Sequence, residues 1–275
     1  MVNPRADDDS KGMRTVGDHF KSVTELAGES VATEQVIRMT DRYQWAAHVS
    51  AGRDVLEVAC GTGQGLGLLA STARSVTAGD ISPAIVAQAT AHYGDRVQIR
   101  VMDATELPFG ESSFDVVIIF EAIYYLSDVR RFLAEVRRVL RPGGDLLIAT
   151  ANPDLSDFNP SPYSHAYFGA RELAQLLSAE GFQPSLFGNT PVGQVSARQR
   201  VLRPVKRAAV RLGVMPKSMR GKEVLKRLFF GQLIAMPEEL TSAAAPPVLT
   251  PIPRDLPDRE HKVLLCRASL PDLQS

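Results

Sequence analysis

Two apolar patterns alternate along most of this chain. Short unbroken runs read as strands covered on both faces, and stretches with apolar residues every three or four positions read as helices with one buried side. The first strand is Asp54–Val58, and an apolar helix follows to about Ser71. The second strand is Ser75–Ala78, after which Ser82-Pro83 opens a helix to Tyr93, with serine as cap and proline in the first turn. The third strand is Val97–Met102 and the fourth is Phe114–Phe120, whose Val116-Val117-Ile118-Ile119 shows no alternation. A helix over Asp128–Leu140 carries Phe132, Leu133, Val136 and Val139 on one side. Arg141-Pro142-Gly143-Gly144 breaks it before a fifth strand, Asp145–Thr150. After a looser stretch to Phe168, Ala170–Ala179 is helical and Gly181 ends it. Gln183–Phe187 and His261–Ala268 complete the set as sixth and seventh strands, and the region from Val16 to Ser50 reads as helical cover.

Strand and helix in strict alternation predict an α/β, doubly wound, mostly parallel sheet of seven strands. The chain divides into a disordered N-terminal segment (1–15), a helical cover (16–52), a core (53–189), a basic helical insertion (190–258) and a final strand with its tail (259–275). The insertion crowds cations, from Arg198 through Lys206 and Lys217 to Arg227, among residues such as Leu202, Leu225 and Phe229. It reads as two amphipathic helices separated by Gly213-Val214-Met215-Pro216.

Composition narrows the partners. Lys plus Arg and Asp plus Glu are balanced at 31 each, so net charge gives no argument for nucleic acid or membrane. The acidic N-terminus has no apolar signal core, and no stretch is long enough to span a bilayer. The expected location is cytoplasmic, without stable membrane insertion. Cys60 and Cys266 make no disulfide framework and are read as reduced packing thiols. No cluster of His and carboxylates at ligand spacing suggests a metal.

The chemistry gathers after the first strand. Val55-Leu56-Glu57-Val58 runs into Ala59-Cys60-Gly61-Thr62-Gly63-Gln64-Gly65 and then an apolar helix. Glycines allow close backbone approach to a ligand, and the N–H groups of a helix start are expected to point at the same spot. Glu57, Asp80 and Asp103 fall at, or one residue beyond, the ends of three consecutive strands, side by side on one sheet edge. Asp80 lies about 20 residues after the loop, where an acid reaching a ribose diol belongs. A dinucleotide fits less well: the third glycine of its fingerprint would be Leu66. Pyrophosphate would also be repelled by carboxylates on both neighbouring strand ends. A ligand with a diol and a cationic part, such as S-adenosylmethionine (SAM), fits better.

These residues resemble the class I SAM-dependent methyltransferases. Val55 to Gly63 looks like their first motif, and Asp80 and Asp103-Ala104 look like the second and third. Phe114-Asp115-Val116-Val117 and Arg138 to Gly144 look like the two later ones. The resemblance implies a Rossmann-like fold with the last strand antiparallel, SAM as cofactor and S-adenosylhomocysteine as product. Carried over position by position, it places Glu57, Ala59, Gly61 and Gly63 at the methionine end, and Asp80 with Ile81 at ribose and adenine. Asp103 and Ala104 fall at the adenine edge, Phe120 below the sulfonium, and Arg42 or Tyr43 closing the aminoacyl end. A narrower resemblance, through Ala27-Gly28-Glu29, Asp41-Arg42-Tyr43, Phe120-Glu121-Ala122-Ile123 and Ala151-Asn152-Pro153, is to methyltransferases found with bacterial glycan and antibiotic-sugar assembly. Asp41 stands where that group has His.

The implied activity is methyl transfer to a small-molecule acceptor, with a sugar or glycosylated natural-product hydroxyl favoured. An amine acceptor, a non-catalytic SAM-binding role and, more distantly, a nicotinamide oxidoreductase are the rivals. A hydroxyl acceptor calls for a base. Relatives often carry His after strand four, where this chain has Glu121-Ala122-Ile123-Tyr124-Tyr125. Glu121, His165 and Tyr124 are the candidates, with His19 weaker. The insertion leaves several readings open: lid, homodimer contact, patch for anionic acceptors, membrane-surface helices or plain solvated face. No aromatic interleaving suggests nucleic acid.

Overall fold

The computed structural model describes residues 26–194, 233–241 and 247–272. A short strand β1 (Ser30–Ala32) leads into helix α1 (Thr33–Val49). The core then runs β2 (Asp54–Val58), α2 (Leu66–Ala70), β3 (Ser75–Asp80), α3 (Pro83–Tyr93), β4 (Gln98–Val101), β5 (Phe114–Phe120) and α4 (Val129–Val139). It continues through β6 (Leu140–Ala151), α5 (Ala170–Ala179), β7 (Gln183–Pro191), β8 (Leu233–Ala235), β9 (Thr250–Ile252) and β10 (His261–Ser269). The main sheet has the order β4-β3-β2-β5-β6-β10-β7-β9. β2 pairs in parallel with β3 and β5, and β5 with β6. β10 is antiparallel to both β6 and β7.

The unbroken apolar runs are explained by two cores, one on each face. Val117 and Ile119 pack with Phe132, Leu133 and Leu177 from α4 and α5. Val116 and Ile118 turn the other way, toward Trp45, Ala46 and Leu69 from α1 and α2. A strand buried on both sides has no polar face to display, so it shows no alternation. α4 follows its pattern closely: Asp128 caps it by accepting from the Arg131 N–H at 2.9 Å, and Phe132, Leu133, Val136 and Val139 are buried.

Several expectations need correction. The sheet has eight strands rather than seven, because Thr250–Ile252 in the proline-rich stretch adds an edge strand against β7. Pro251 is tolerated there because an edge strand need not donate on both sides. Residues 30–32 are extended rather than helical: Gly28 turns the chain at φ 83°, and β1 pairs antiparallel with β8. Arg141 to Gly144 do not separate α4 from the fifth strand. They form a bulge inside β6, where pairing jumps from Phe114–Leu140 to Val116–Asp145. Ser82 precedes α3 without a side-chain cap bond, and Pro83 does open the helix. Within the supposed helical insertion, residues 233–235 and 250–252 are strands. The two amphipathic helices expected between Arg198 and Arg227, the segment 1–15 and His19 lie outside the described residues. Cys60 and Cys266 are both free and buried. Among the described residues no helix is long and apolar enough to cross a membrane.

Candidate active site

The strand order reverses between β2 and β5, which opens a crevice at their carboxyl ends. A cavity of about 580 Å³ lies there, roofed by α1. That size suits a small-molecule site. Arg42, Tyr43, Ala59, Gly61, Asp80, Ile81, Asp103, Ala104, Phe120, Glu121, Tyr124 and His165 all line it. Glu57 and Gly63 do not.

Glu57 is fully enclosed beneath the roof. Its Oε1 accepts a 2.5 Å hydrogen bond from the Tyr43 hydroxyl, and Tyr43 in turn lines the cavity. Burial pushes the Glu57 carboxyl up to about 7, although Tyr43 and the nearby Arg42 pull the other way. Its Oε2 and the Nε of Arg42 are buried with no hydrogen-bond partner among the described residues. Tyr43 is also fixed from below, since its ring lies where a Cβ on Gly65 would stand, 2.1 Å away. Gly63 adopts φ 82°, and a Cβ there would meet Leu66 and Tyr93, so its role is packing and turning rather than facing the cavity.

The helix start does not offer the free N–H groups expected of it. α2 has only five residues, the Leu66 N–H donates to the Gly63 carbonyl, and the Gly67 N–H donates to the Tyr93 hydroxyl. The loop spends another donor on Asp80: the Gly61 N–H bonds its Oδ2 at 3.2 Å and the Ser82 N–H its Oδ1 at 3.0 Å. Those bonds fix the carboxylate at the cavity wall. Burial raises its pKa, and the backbone N–H groups of Ser82, Gly61 and Ile81 only partly offset that. Asp103 presents one oxygen to its own turn, Oδ1 accepting from the N–H and hydroxyl of Thr105 at 2.7 and 2.8 Å. Phe120 is buried, edge-on to Tyr43 at 5.3 Å and stacked near Trp45 at 6.3 Å, and it still reaches the cavity.

On the other side of the crevice Glu121 holds φ 51°, a left-handed backbone that non-glycine residues seldom adopt and that Ala59, Ser112 and Thr190 share here. Its Oε2 accepts from the Tyr124 hydroxyl at 3.2 Å, and its Oε1 lies 3.8 Å from Arg42. Burial, then the adjacent Glu121, push the Tyr124 hydroxyl far up, so it donates to Glu121 and cannot serve as a proton acceptor near neutral pH. Tyr124 stacks on Tyr167 with ring centres 4.4 Å apart. His165 is exposed on the rim, anchored by its N–H to the Tyr124 carbonyl.

Sequence reasoning missed Gln35, Arg38, Met39, Lys262 and Val263, which also line the cavity. The first three share a helix face with Arg42 by i, i+3, i+4, i+7 spacing, a legible signal. Lys262 and Val263 had none, because only the pairing of β10 with β6 brings them to this edge. Among the described residues no group of three or more metal-ligating side chains occurs.

A glycine loop at the switch point and an acid at the end of the next strand are the features with which open α/β sheets take ligands at their carboxyl edge. Residues 56–148 match the family described as Methyltransferase domain. That match covers about a third of the chain. The chain is 43% identical over 147 residues to a probable SAM-dependent methyltransferase of Mycolicibacterium smegmatis, a match covering 51% of this chain and 56% of the relative. It is 34% identical over 167 residues to the O-methyltransferase resE of Aspergillus sclerotiorum, covering 56% and 62%. The chain thus spans little more than half the length of the curated relatives it matches. Among solved structures, the [4+2]-cyclase SpnF has a TM-score of 0.57 at 19% identity, covering 94% of this chain and 97% of that one. That likeness is one of fold, and a protein named for cyclisation shows that the fold leaves the reaction open.

Proposed function

We propose that this chain transfers a methyl group from SAM to a hydroxyl of a small molecule, a sugar or glycosylated natural product being the favoured acceptor. The observation that carries the reading is the pairing, across one cavity, of a diol-matching acid on the glycine-loop side with an unusual carboxylate on the other. Asp80 has two fixed acceptor oxygens suited to a ribose diol. Asp103 and Ala104 take the adenine edge, with Ile81 against the ring. Tyr43, Ala59 and Gly61 border the aminoacyl end. Arg42, which lines the cavity beside them, suits the carboxylate of that end, and Glu57 acts on it only from behind, through the Tyr43 hydroxyl. When bound, SAM supplies an electrophilic methyl group. The protein's contribution is then largely positioning, holding the acceptor oxygen in line with that methyl. Glu121 takes the hydroxyl proton as the oxygen–carbon bond forms, and Tyr124 and Arg42 hold its carboxylate in place. His165, exposed on the rim, is the alternative acceptor of that proton.

The similarity to an O-methyltransferase supports a hydroxyl acceptor. The test is calorimetry with S-adenosylhomocysteine and with NAD, followed by transfer of labelled methyl from SAM to a panel of sugars, glycosides and amines. Binding of S-adenosylhomocysteine with transfer to a hydroxyl is expected. Binding of NAD alone overturns the cofactor assignment. Binding without any transfer favours a non-catalytic role, and transfer to amines alone moves the acceptor class to nitrogen.

A further inference from the structure

The roof of the cavity carries a cation that nothing described neutralises. Arg38 is half-buried, lines the cavity and makes no hydrogen bond or ion pair with any described residue. Its neighbours differ. One turn later on α1, Arg42 lies 3.8 Å from Glu121. One turn earlier, Glu34 holds Lys262 of β10 at 2.6 Å. Arg38 therefore stands between the end of β5 and the start of β10. In the sheet, β6 and β10 lie on the far side of β5 from β3 and β4, which carry Asp80 and lead into Asp103. The charges divide accordingly. The β3–β4 half of the cavity is acidic through Asp80 and Asp103, whereas among the described lining residues of the β6–β10 half Arg38, Arg42 and Lys262 stand against the one carboxylate Glu121, with Glu34 and Glu57 acting from outside the lining on Lys262 and Arg42.

We propose that Arg38 forms an anion-binding subsite for the acceptor, so that the natural acceptor carries a carboxylate or phosphate beside the group to be methylated. A guanidinium kept partly from water and left without a partner gains most from a planar or tetrahedral oxyanion, which it can grip with two N–H groups at once. Lys262 is less suited to this because Glu34 already occupies it; it tethers β10 to α1 and so fixes the far wall. The assignment of the anion to an acceptor rests on the methyltransferase reading above.

The test uses the full chain saturated with S-adenosylhomocysteine. It is titrated calorimetrically with 4-hydroxybenzoate, 4-hydroxyphenyl phosphate and neutral 4-hydroxybenzamide, ring-bearing probes chosen because Tyr124 and Tyr125 line the same cavity. At least one anion is expected to bind about tenfold more tightly than the amide. Whichever anion shows the larger preference identifies the group. Arg38→Gln should abolish the preference, Arg38→Lys should keep part of it, and both should bind S-adenosylhomocysteine within roughly twofold of the parent, because Arg38 lies on the roof, away from the glycine loop and Asp80. Equal affinity for charged and neutral probes, or a preference that survives Arg38→Gln, overturns the proposal. So does a parallel loss of S-adenosylhomocysteine affinity, which would give Arg38 to the cofactor. If the parent protein fails to bind S-adenosylhomocysteine yet prefers the anions through Arg38, the methyltransferase reading falls and the subsite stands.

Discussion

The two edges of the sheet treat charge in opposite ways. At the amino edge the acids that begin the strands are all paired. Asp145, fully buried, accepts from Arg53 at 2.6 Å, from Arg267 through both oxygens at 2.9 Å, and from Ser269 at 2.6 Å. Asp54 and Asp115 share Arg74 and Arg141. At the carboxyl edge Glu57 keeps an oxygen without a partner, Arg42 an Nε, and Arg38 a whole guanidinium. Unpaired buried groups cost stability. Among the charged groups described, the unpaired ones lie at the carboxyl edge around the cavity, and the opposite edge is where paired charges hold the strands together.

Breaking the paired edge should have the largest effect. Burial alone would raise the Asp145 pKa, but the bonds from Arg267, Ser269 and Arg53 outweigh it and hold it below the usual carboxylate range. Its stabilisation is therefore present above the unfolded pKa and lost as pH falls through the lower folded value, below about 4. Asp145→Asn should reduce the unfolding free energy by about 3 kcal/mol at pH 7. Urea denaturation measures this, and affinity for S-adenosylhomocysteine in the folded protein should stay within roughly twofold. A variant as stable as the parent would mean that the buried cluster contributes nothing net.

Glu57 should show the reverse slope. Its folded pKa of about 7 lies above the ordinary 4.5, so the folded state holds a proton that the unfolded state releases. Stability should fall as pH rises from about 4.5 through 7, by roughly 3 kcal/mol in total. Glu57→Gln should flatten this dependence. Urea titrations of both proteins between pH 5 and 8 read it directly. A constant difference between them would show that Glu57 is already ionised at pH 5. Asp80→Ala sharpens the contrast further. It should weaken binding of S-adenosylhomocysteine by about 1–3 kcal/mol, because a fixed diol acceptor is lost. Unchanged calorimetric affinity would remove Asp80 from the cofactor site.

The difference between the edges also explains what could be read from the chain beforehand. Strands covered on both faces announce themselves as Val116-Val117-Ile118-Ile119, and the acids at strand ends fall into place because a parallel sheet sets their ends side by side. Asp80 and Asp103 were legible in that way, whereas the roof residues Arg42 and Tyr43 came only from the family resemblance. Glu57 was legible as a site acid but not as one held behind Tyr43, because that depends on the ring lying flat on Gly65. Of the donors expected to be free at the helix start, the Gly67 N–H is taken by Tyr93, 26 residues away, and the Leu66 N–H by the Gly63 carbonyl. Lys262 reached the cavity through strand pairing across more than a hundred residues, which no local pattern encodes. β1 and β9 are three residues each, too short for period to separate strand from loop.

The smallest effect should come from Arg74, and it tests whether the amino edge acts as one unit. Arg74 bonds both Asp54, at 3.0 Å, and Asp115, at 2.8 Å, which on contact geometry alone makes it look like a keystone. Its side chain is 59% exposed, however, so water screens it and its ordering costs entropy. Arg141 contacts the same two acids at 2.9 and 2.8 Å, and the Asp54 N–H also donates to Asp115. Removing Arg74 leaves neither acid unpaired. Arg74→Ala should therefore cost less than about 1 kcal/mol in urea denaturation, and less still at high salt. A loss comparable to that of Asp145→Asn would mean that the edge is cooperative, with Arg74 holding Arg141 in place rather than duplicating it, and a double variant with Arg141→Ala would then cost no more than either alone.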